Sequence, residues 1–201
     1  MDTVYDTDVL SRYPVPRHRL TRRDYYRLAE AGILGEDDRV ELLEGQLVDM
    51  SPIGPRHALV IDMLNRLLLT ALGEQAWLRV RNPIVLDDAS EPQPDIALVR
   101  LRWNGYPDAH PRPPDILLLV EVADSSLDFD RGAKLELYAR AGIREFWVVD
   151  LTTNHVMVHR SPNEGRYASM AVVDMSGTVS RNSTTATSDS RMFVAGPASD
   201  T

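Results

Sequence analysis

The segment that most constrains the fold runs from Pro114 to Asp150, PPDILLLVEVADSSLDFDRGAKLELYARAGIREFWVVD. Ile116 to Val122 is an apolar run broken at one place, by Glu121, and Glu145 to Asp150 opens a second buried run. Between them, Asp128 to Ala141 spaces Leu135, Tyr138 and Ala139 along one helical face, and Gly142 stands where a helix ends. A strand, a helix and a strand of this length predict a parallel pair joined by a right-handed crossover, the unit of an α/β domain. Glu121 is the anomaly in that unit. An ionised carboxylate in a buried strand is costly unless a cation or donors meet it, so the rest of the chain must supply its partners.

At 201 residues the chain is long enough for one domain with a sizeable core. It has no cysteine, which rules out disulfides and thiolate chemistry and fits a reducing compartment, so a cytoplasmic protein is expected. No apolar run approaches the ~18 residues of a membrane span, and no basic-then-apolar leader opens the chain, so no membrane partner is expected. The net charge of −8 argues against non-specific nucleic-acid binding over the whole surface. Local basic clusters at Arg17–Arg23 and Arg79–Arg81 remain compatible with an acidic total.

Residues 1–20 read as a flexible lead, 21–175 as the domain, and 176–201 as a disordered Ser/Thr-rich tail. Thr21 with Asp24 three residues on is a capping pair that opens a packing helix, and Gly32 lies near its end. Arg39 to Met50 predicts a β-hairpin turning at Glu44-Gly45, with Glu41 inside its first strand. Arg56 to about Leu72 predicts a long helix whose stripe Leu59, Met63, Leu64, Leu67 and Leu68 would cover one face of a sheet. His57, on its first turn, is either a solvated side chain or a candidate phosphate contact at the positive end of the helix dipole. Trp77 to Leu86 reads as a strand. Glu91-Pro-Gln-Pro-Asp95 is held extended by its prolines and delivers Asp95 to the start of the strand Ile96–Val99. Two further strands are expected at His155–Arg160 and Tyr167–Val173.

If the strand beginning at Asp95 pairs antiparallel with the one containing Glu121, the two carboxylates crowd one edge of the sheet. Two such acids stay ionised cheaply only with a cation between them. Mg²⁺ (or Mn²⁺) suits that pair, because it is hard and content with one or two carboxylates, water and a phosphate. Lys134, on the following helix, can reach the same edge, although an ordinary surface pair with Asp130 explains it equally well. Two carboxylates, a divalent metal and a lysine are the parts for phosphodiester hydrolysis.

The order hairpin, helix, EPQPD, strand, LLLVEVADSS, helix with Asp130-x-x-x-Lys134-x-x-x-Tyr138, and AGIREFWVVD resembles the Uma2 family of endonucleases over residues 20–160. That family is similar in core to the PD-(D/E)XK nucleases. The resemblance implies a restriction-endonuclease-like fold: a mixed central β-sheet flanked by helices, with an N-terminal helix and a β-hairpin. It also implies that Pro94-Asp95 is the "PD", that Glu121 is the second acid, and that Lys134 replaces the lysine that position 123, an alanine, does not supply. Glu41 and His57 match family positions as well. The expectation is therefore a metal-dependent endonuclease acting on nucleic acid, with DNA the favoured substrate. Asp95 and Glu121 would be metal ligands, the Val122 carbonyl a third, and Lys134 the group that orients water, with Glu41 assisting. A homodimer is expected by analogy with the class. Two other readings are a catalytically inactive module of the same fold that binds nucleic acid or a protein, and a structural ion-pair network.

Overall fold

A computed structural model describes residues 15–35, 37–124, 126–175 and 179–180. Its centre is a seven-stranded sheet in strand order β3-β4-β5-β6-β7-β8-β9. The strands are β3 (Ala76–Val80), β4 (Ile96–Arg100), β5 (Ile116–Ala123), β6 (Glu145–Asp150), β7 (His155–Asn163), β8 (Arg166–Asp174) and β9 (Val179–Ser180). β5 and β6 run parallel, as the strand–helix–strand segment predicts, and the other neighbouring strands pair antiparallel. Three of the seven strands thus follow the parallel pair as a meander, because short turns such as Leu151–Asn154 can join only antiparallel neighbours.

Each face of the sheet has its own core. On one side Ala97, Val99, Leu119, Ala123, Phe146 and Val148 pack with Leu137 and Tyr138. On the other, Ile96, Leu98, Val120, Val122, Trp147 and Val149 pack with Val60, Ile61 and Leu68 of α2 (Pro55–Leu72). The sorting follows from strand alternation, which sends residues 119, 121 and 123 to the first face and residues 118, 120 and 122 to the second. Glu121 therefore points toward the helix that follows β5. That helix is one continuous run: α3 (Leu127–Phe129), a π-helical turn (Asp130–Lys134) and α4 (Leu135–Arg140).

α1 (Arg22–Glu30) carries the expected capping box: the Thr21 hydroxyl accepts from the Asp24 amide, and the Asp24 carboxylate accepts from the Thr21 amide. β1 (Val40–Leu43) and β2 (Gln46–Asp49) form the expected hairpin. Glu44 and Gly45 both have positive φ, 49° and 76°, the pattern of a type I′ turn. A Cβ on Gly45 would stand 2.5 Å from Cβ and 2.9 Å from Cα of Arg19. Gly45→Ala is thus expected to lower stability by more than about 1 kcal/mol, through both the dihedral and the clash. A denaturant melt followed by circular dichroism would measure it.

Three local expectations are corrected. Leu59, Met63 and Leu67 are 51–61% exposed, and the face of α2 that packs on the sheet is Val60, Ile61 and Leu68, with Leu64 and Leu72 partly buried. A helix apolar nearly all round does not reveal its inner face by periodicity. The strand expected over Trp77–Leu86 stops at Val80, because Arg81 adopts φ 53° and leaves the extended region. Ile84, Val85 and Leu86 are buried without belonging to a strand. Beyond residue 175, Val179 and Ser180 pair with β8. The remainder of the tail expected to be disordered lies outside the described residues, as do residues 1–14 of the expected flexible lead. Among the described residues, no helix is long and apolar enough to cross a membrane.

Candidate active site

In the antiparallel ladder of β4 and β5, Ile96 faces Val120. Asp95 and Glu121 are the next residues beyond that last pair, one on each chain segment. The extended Pro92–Pro94 approach ends at Asp95, so the acid sits where backbone pairing stops and donors become available. Asp95 is buried and takes three contacts: Oδ2 accepts from the Val122 amide at 2.8 Å, while Oδ1 lies 3.0 Å from Arg81 NH2 and 3.1 Å from His57 Nε2. His57 reaches it from the first turn of α2, and Arg81 from the turn that ends β3. Arg81 NH2 is also 2.9 Å from His57 Nε2. Burial pushes the Asp95 carboxyl up, but the His57 and Val122 hydrogen bonds and the charge of Arg81 outweigh it and hold the acid below its ordinary range.

Glu121 is partnered differently. Its Oε1 accepts from Lys134 Nζ at 3.0 Å and from the Tyr138 hydroxyl at 2.8 Å. Lys134 Nζ also lies 3.0 Å from Glu41 Oε1, and Glu41 Oε2 accepts from the Gln93 amide at 3.0 Å. Lys134 is only 5% exposed, so it is not the surface residue that its spacing from Asp130 allows. It lies in the π-helical turn Asp130–Lys134, in which Asp130 and Lys134 are both buried. Asp130 accepts from the Ser126 hydroxyl at 2.6 Å. The hairpin, the EPQPD segment, β5 and the helix after it thus meet on one ammonium group.

The electrostatics separate the two acids. Burial pushes Glu121 up to about 8; Lys134 opposes the shift, and Asp130, Asp95 and Glu41 add to it. Asp130 is raised for the same first reason, its burial. Burial alone would lower Lys134, but Glu121, Glu41 and Asp130 together raise it, so it is a cation at every physiological pH. The Tyr138 hydroxyl, buried against Glu121, is also held well above its ordinary value. The cluster is short of positive charge: Glu41, Asp95, Glu121 and Asp130 are all buried, and the fixed cations within it are Lys134 and Arg81.

Asp95, Glu121, Lys134 and Glu41 therefore lie in one cluster, and His57 joins it through Asp95. In an extended strand the N–H and C=O of a residue point to the same neighbouring strand, so the Val122 carbonyl faces the β4 side, as its amide does. Sequence reasoning named Arg81 only as part of a basic cluster and Tyr138 only as a packing residue. The spacing Asp130, Lys134, Tyr138 at four-residue steps was the available signal for Tyr138. Nothing local pointed Arg81 at Asp95.

Among the described residues, no three Asp, Glu or His side chains form a metal cage by themselves. A hard cation of the Mg²⁺ type needs fewer, since water and a backbone oxygen can complete its shell. Asp95, Glu121 and the Val122 carbonyl fit that requirement. Burial drives Glu121 up to about 8, and the neighbouring carboxylates add to the shift; a divalent cation would favour the ionised acid against both.

A family model described as "Uma2: Putative restriction endonuclease" matches residues 22–189. Among solved structures, the chain is similar to "a putative nuclease belonging to DUF820 from Anabaena variabilis ATCC 29413". The TM-score is 0.60 at 16% identity, over 77% of this chain and 84% of that one. At that identity the likeness bears on the fold, which is the nuclease-like mixed sheet expected from the sequence. No curated protein matches the chain. The match over residues 22–189, on a chain whose hairpin, acids and following helix are arranged as described, shows that it belongs to the Uma2 family.

Proposed function

We propose that the protein is a metal-dependent endonuclease that hydrolyses phosphodiester bonds in nucleic acid, with DNA as the favoured substrate. The observation that carries this reading is the placement of buried Lys134 between Glu41 and Glu121, with Asp95 at the end of the β4–β5 ladder accepting from the Val122 amide. Asp95 and Glu121 would hold Mg²⁺ or Mn²⁺ with the Val122 carbonyl. When bound, such an ion polarises a phosphoryl oxygen and makes water acidic enough to attack near neutral pH. The remaining work falls to the chain itself.

Lys134 stays protonated, so it orients the attacking water and neutralises charge growing on the phosphate; it is not a base. Glu41 is a positioning residue that holds the ammonium in place while the Gln93 amide holds Glu41. His57, beside Asp95 on the first turn of α2, is placed to contact a phosphate oxygen. Arg81 and His57, both in contact with Asp95 Oδ1, are the side chains beside this acid that would also meet an anionic substrate.

The contacts that already saturate Asp95 also favour a second reading, a nuclease-fold module without catalysis. Asp95→Ala separates the two. Plasmid and single-stranded DNA cleavage in Mg²⁺ or Mn²⁺ is expected to fall by at least about 10²-fold in this variant. Metal-dependent cleavage that survives Asp95→Ala overturns the assignment, and absence of cleavage by the wild type supports the module.

A further inference from the structure

Two partly buried arginines are spent on a carboxylate, Arg22 on Glu91 and Arg81 on Asp95, and the exposed Arg102 and Arg160 pair with Asp115 and Glu145. Arg79 is spent on none. It lies on β3, the edge strand next to the acid cluster, and among the described residues no carboxylate lies within ion-pair distance of it. Its Nε is buried with no hydrogen-bond partner, and its NH2 makes one long contact, 3.4 Å, with His110 Nδ1. Arg81, two residues further along, also has a buried donor without a partner, NH1. A buried donor left unpaired costs about 1–3 kcal/mol, and Arg79 and Arg81 each carry one.

The surroundings select the anion. Tyr106 places its ring under the pair Arg79 and Arg102, with guanidinium carbons 6.0 Å and 4.4 Å from the ring centre. Arg102 is tethered to Asp115 at 2.6 Å, which leaves Arg79 as the fork with donors to spare. Burial lowers Arg79 while it remains a cation, so an incoming anion meets a partly desolvated charge. A guanidinium with free forked donors matches the oxygens of a phosphate. Arg79 lies two residues before Arg81, which grips Asp95.

We propose that Arg79, on the edge strand whose end leads into Arg81, binds a backbone phosphate of the nucleic acid next to the scissile one and feeds the nucleic-acid strand to the acid cluster. This inference rests on the hydrolase reading above, and Arg79 acts in it as a substrate-binding residue outside the reacting atoms. It also reconciles a chain of net charge −8 with an anionic substrate, since attraction is confined to one edge of the sheet.

The test is binding of labelled single-stranded and duplex DNA oligonucleotides to the full chain in EDTA, read by fluorescence anisotropy across a range of salt. Arg79→Gln is expected to weaken binding about tenfold and to lower the slope of log K against log salt by about one. Arg79→Lys is expected to restore the slope but only part of the affinity, because the charge returns without the fork. As a measurement free of any variant, the oligonucleotide should protect Arg79 of the wild type from an arginine-selective dicarbonyl reagent, read by mass spectrometry. Wild-type affinity and slope in Arg79→Gln, or modification of Arg79 undiminished by bound DNA, overturns the inference and leaves the hydrolase reading standing. Weaker binding with an unchanged slope, equal in Gln and Lys variants, marks a structural residue and also overturns it. A wild type that neither binds nor cleaves DNA removes both.

Discussion

Lys134→Ala is expected to eliminate measurable hydrolysis and to destabilise the fold by about 3–5 kcal/mol, the cost of leaving buried carboxylates without their counter-charge. The variant strips Glu41 and Glu121 of one shared cation in a place that water reaches poorly, since all three residues are at most 5% exposed. Glu121 would keep the Tyr138 hydroxyl, and Glu41 would keep the Gln93 amide. Neither donor carries a charge. Lys134→Met fills the volume without restoring the charge, so it should recover little of the loss, which separates electrostatics from packing. Adding Glu121→Gln to Lys134→Met should return a substantial part of the stability but none of the activity. Urea melts of the two single variants and the double form a double-mutant cycle with a strong coupling. Additivity in that cycle would show that the pair does not share one environment and would remove Lys134 from the centre of the site.

The second large effect is on the pH dependence of stability in metal-free protein. Glu121 is raised from its ordinary 4.5 to about 8, so between these values the folded protein holds a proton that the unfolded chain has released. Stability rises with pH where the unfolded state binds more protons, and here the folded state binds more. The contribution of Glu121 is therefore present below about 4.5 and is lost as pH climbs to about 8. Asp130, also raised, acts in the same direction. Asp95 acts oppositely, because its lowered carboxyl loses its stabilising contacts as pH falls through its folded value, below its ordinary 3.8. Lys134 gives no slope in this window, since its raised value lies above it. Thermal melts in EDTA should show stability declining from weakly acid to weakly alkaline pH, and Glu121→Gln should remove most of that decline. Mg²⁺ should restore more stability at pH 8 than at pH 5, because it favours the ionised acid. A flat wild-type profile, or one unchanged by Glu121→Gln, would show that the acid is ionised and fully paired without a metal.

Much of the fold is legible in local pattern because its elements obey strong local rules. Glu145–Asp150 is bounded as expected, and the hairpin turns at Glu44-Gly45, where both residues take the positive φ such a turn demands. α2 shows the opposite case. Its location is plain, but its inner face is not, since leucines occupy both sides and burial is decided by which side meets the sheet. The break after Val80 is likewise invisible in composition: Trp77 to Leu86 alternates like a strand, and only the turn of Arg81 toward Asp95 ends it.

Element order, the single charge in the buried strand and, through two-residue alternation and one antiparallel pairing, the expectation that Asp95 and Glu121 come to one edge of the sheet are all written in local pattern. These depend on neighbours in the chain and on strand parity, which composition and spacing encode directly. The tertiary structure alone decided which cations serve them. Lys134 lies one helical step before buried Tyr138 and lodges against Glu41 of a distant hairpin. Arg81 reaches Asp95 through a left-handed residue, while Arg79 beside it is left with a buried donor and no acid. A buried charge takes its partner from whatever packing brings within about 3 Å, and no local periodicity specifies that meeting.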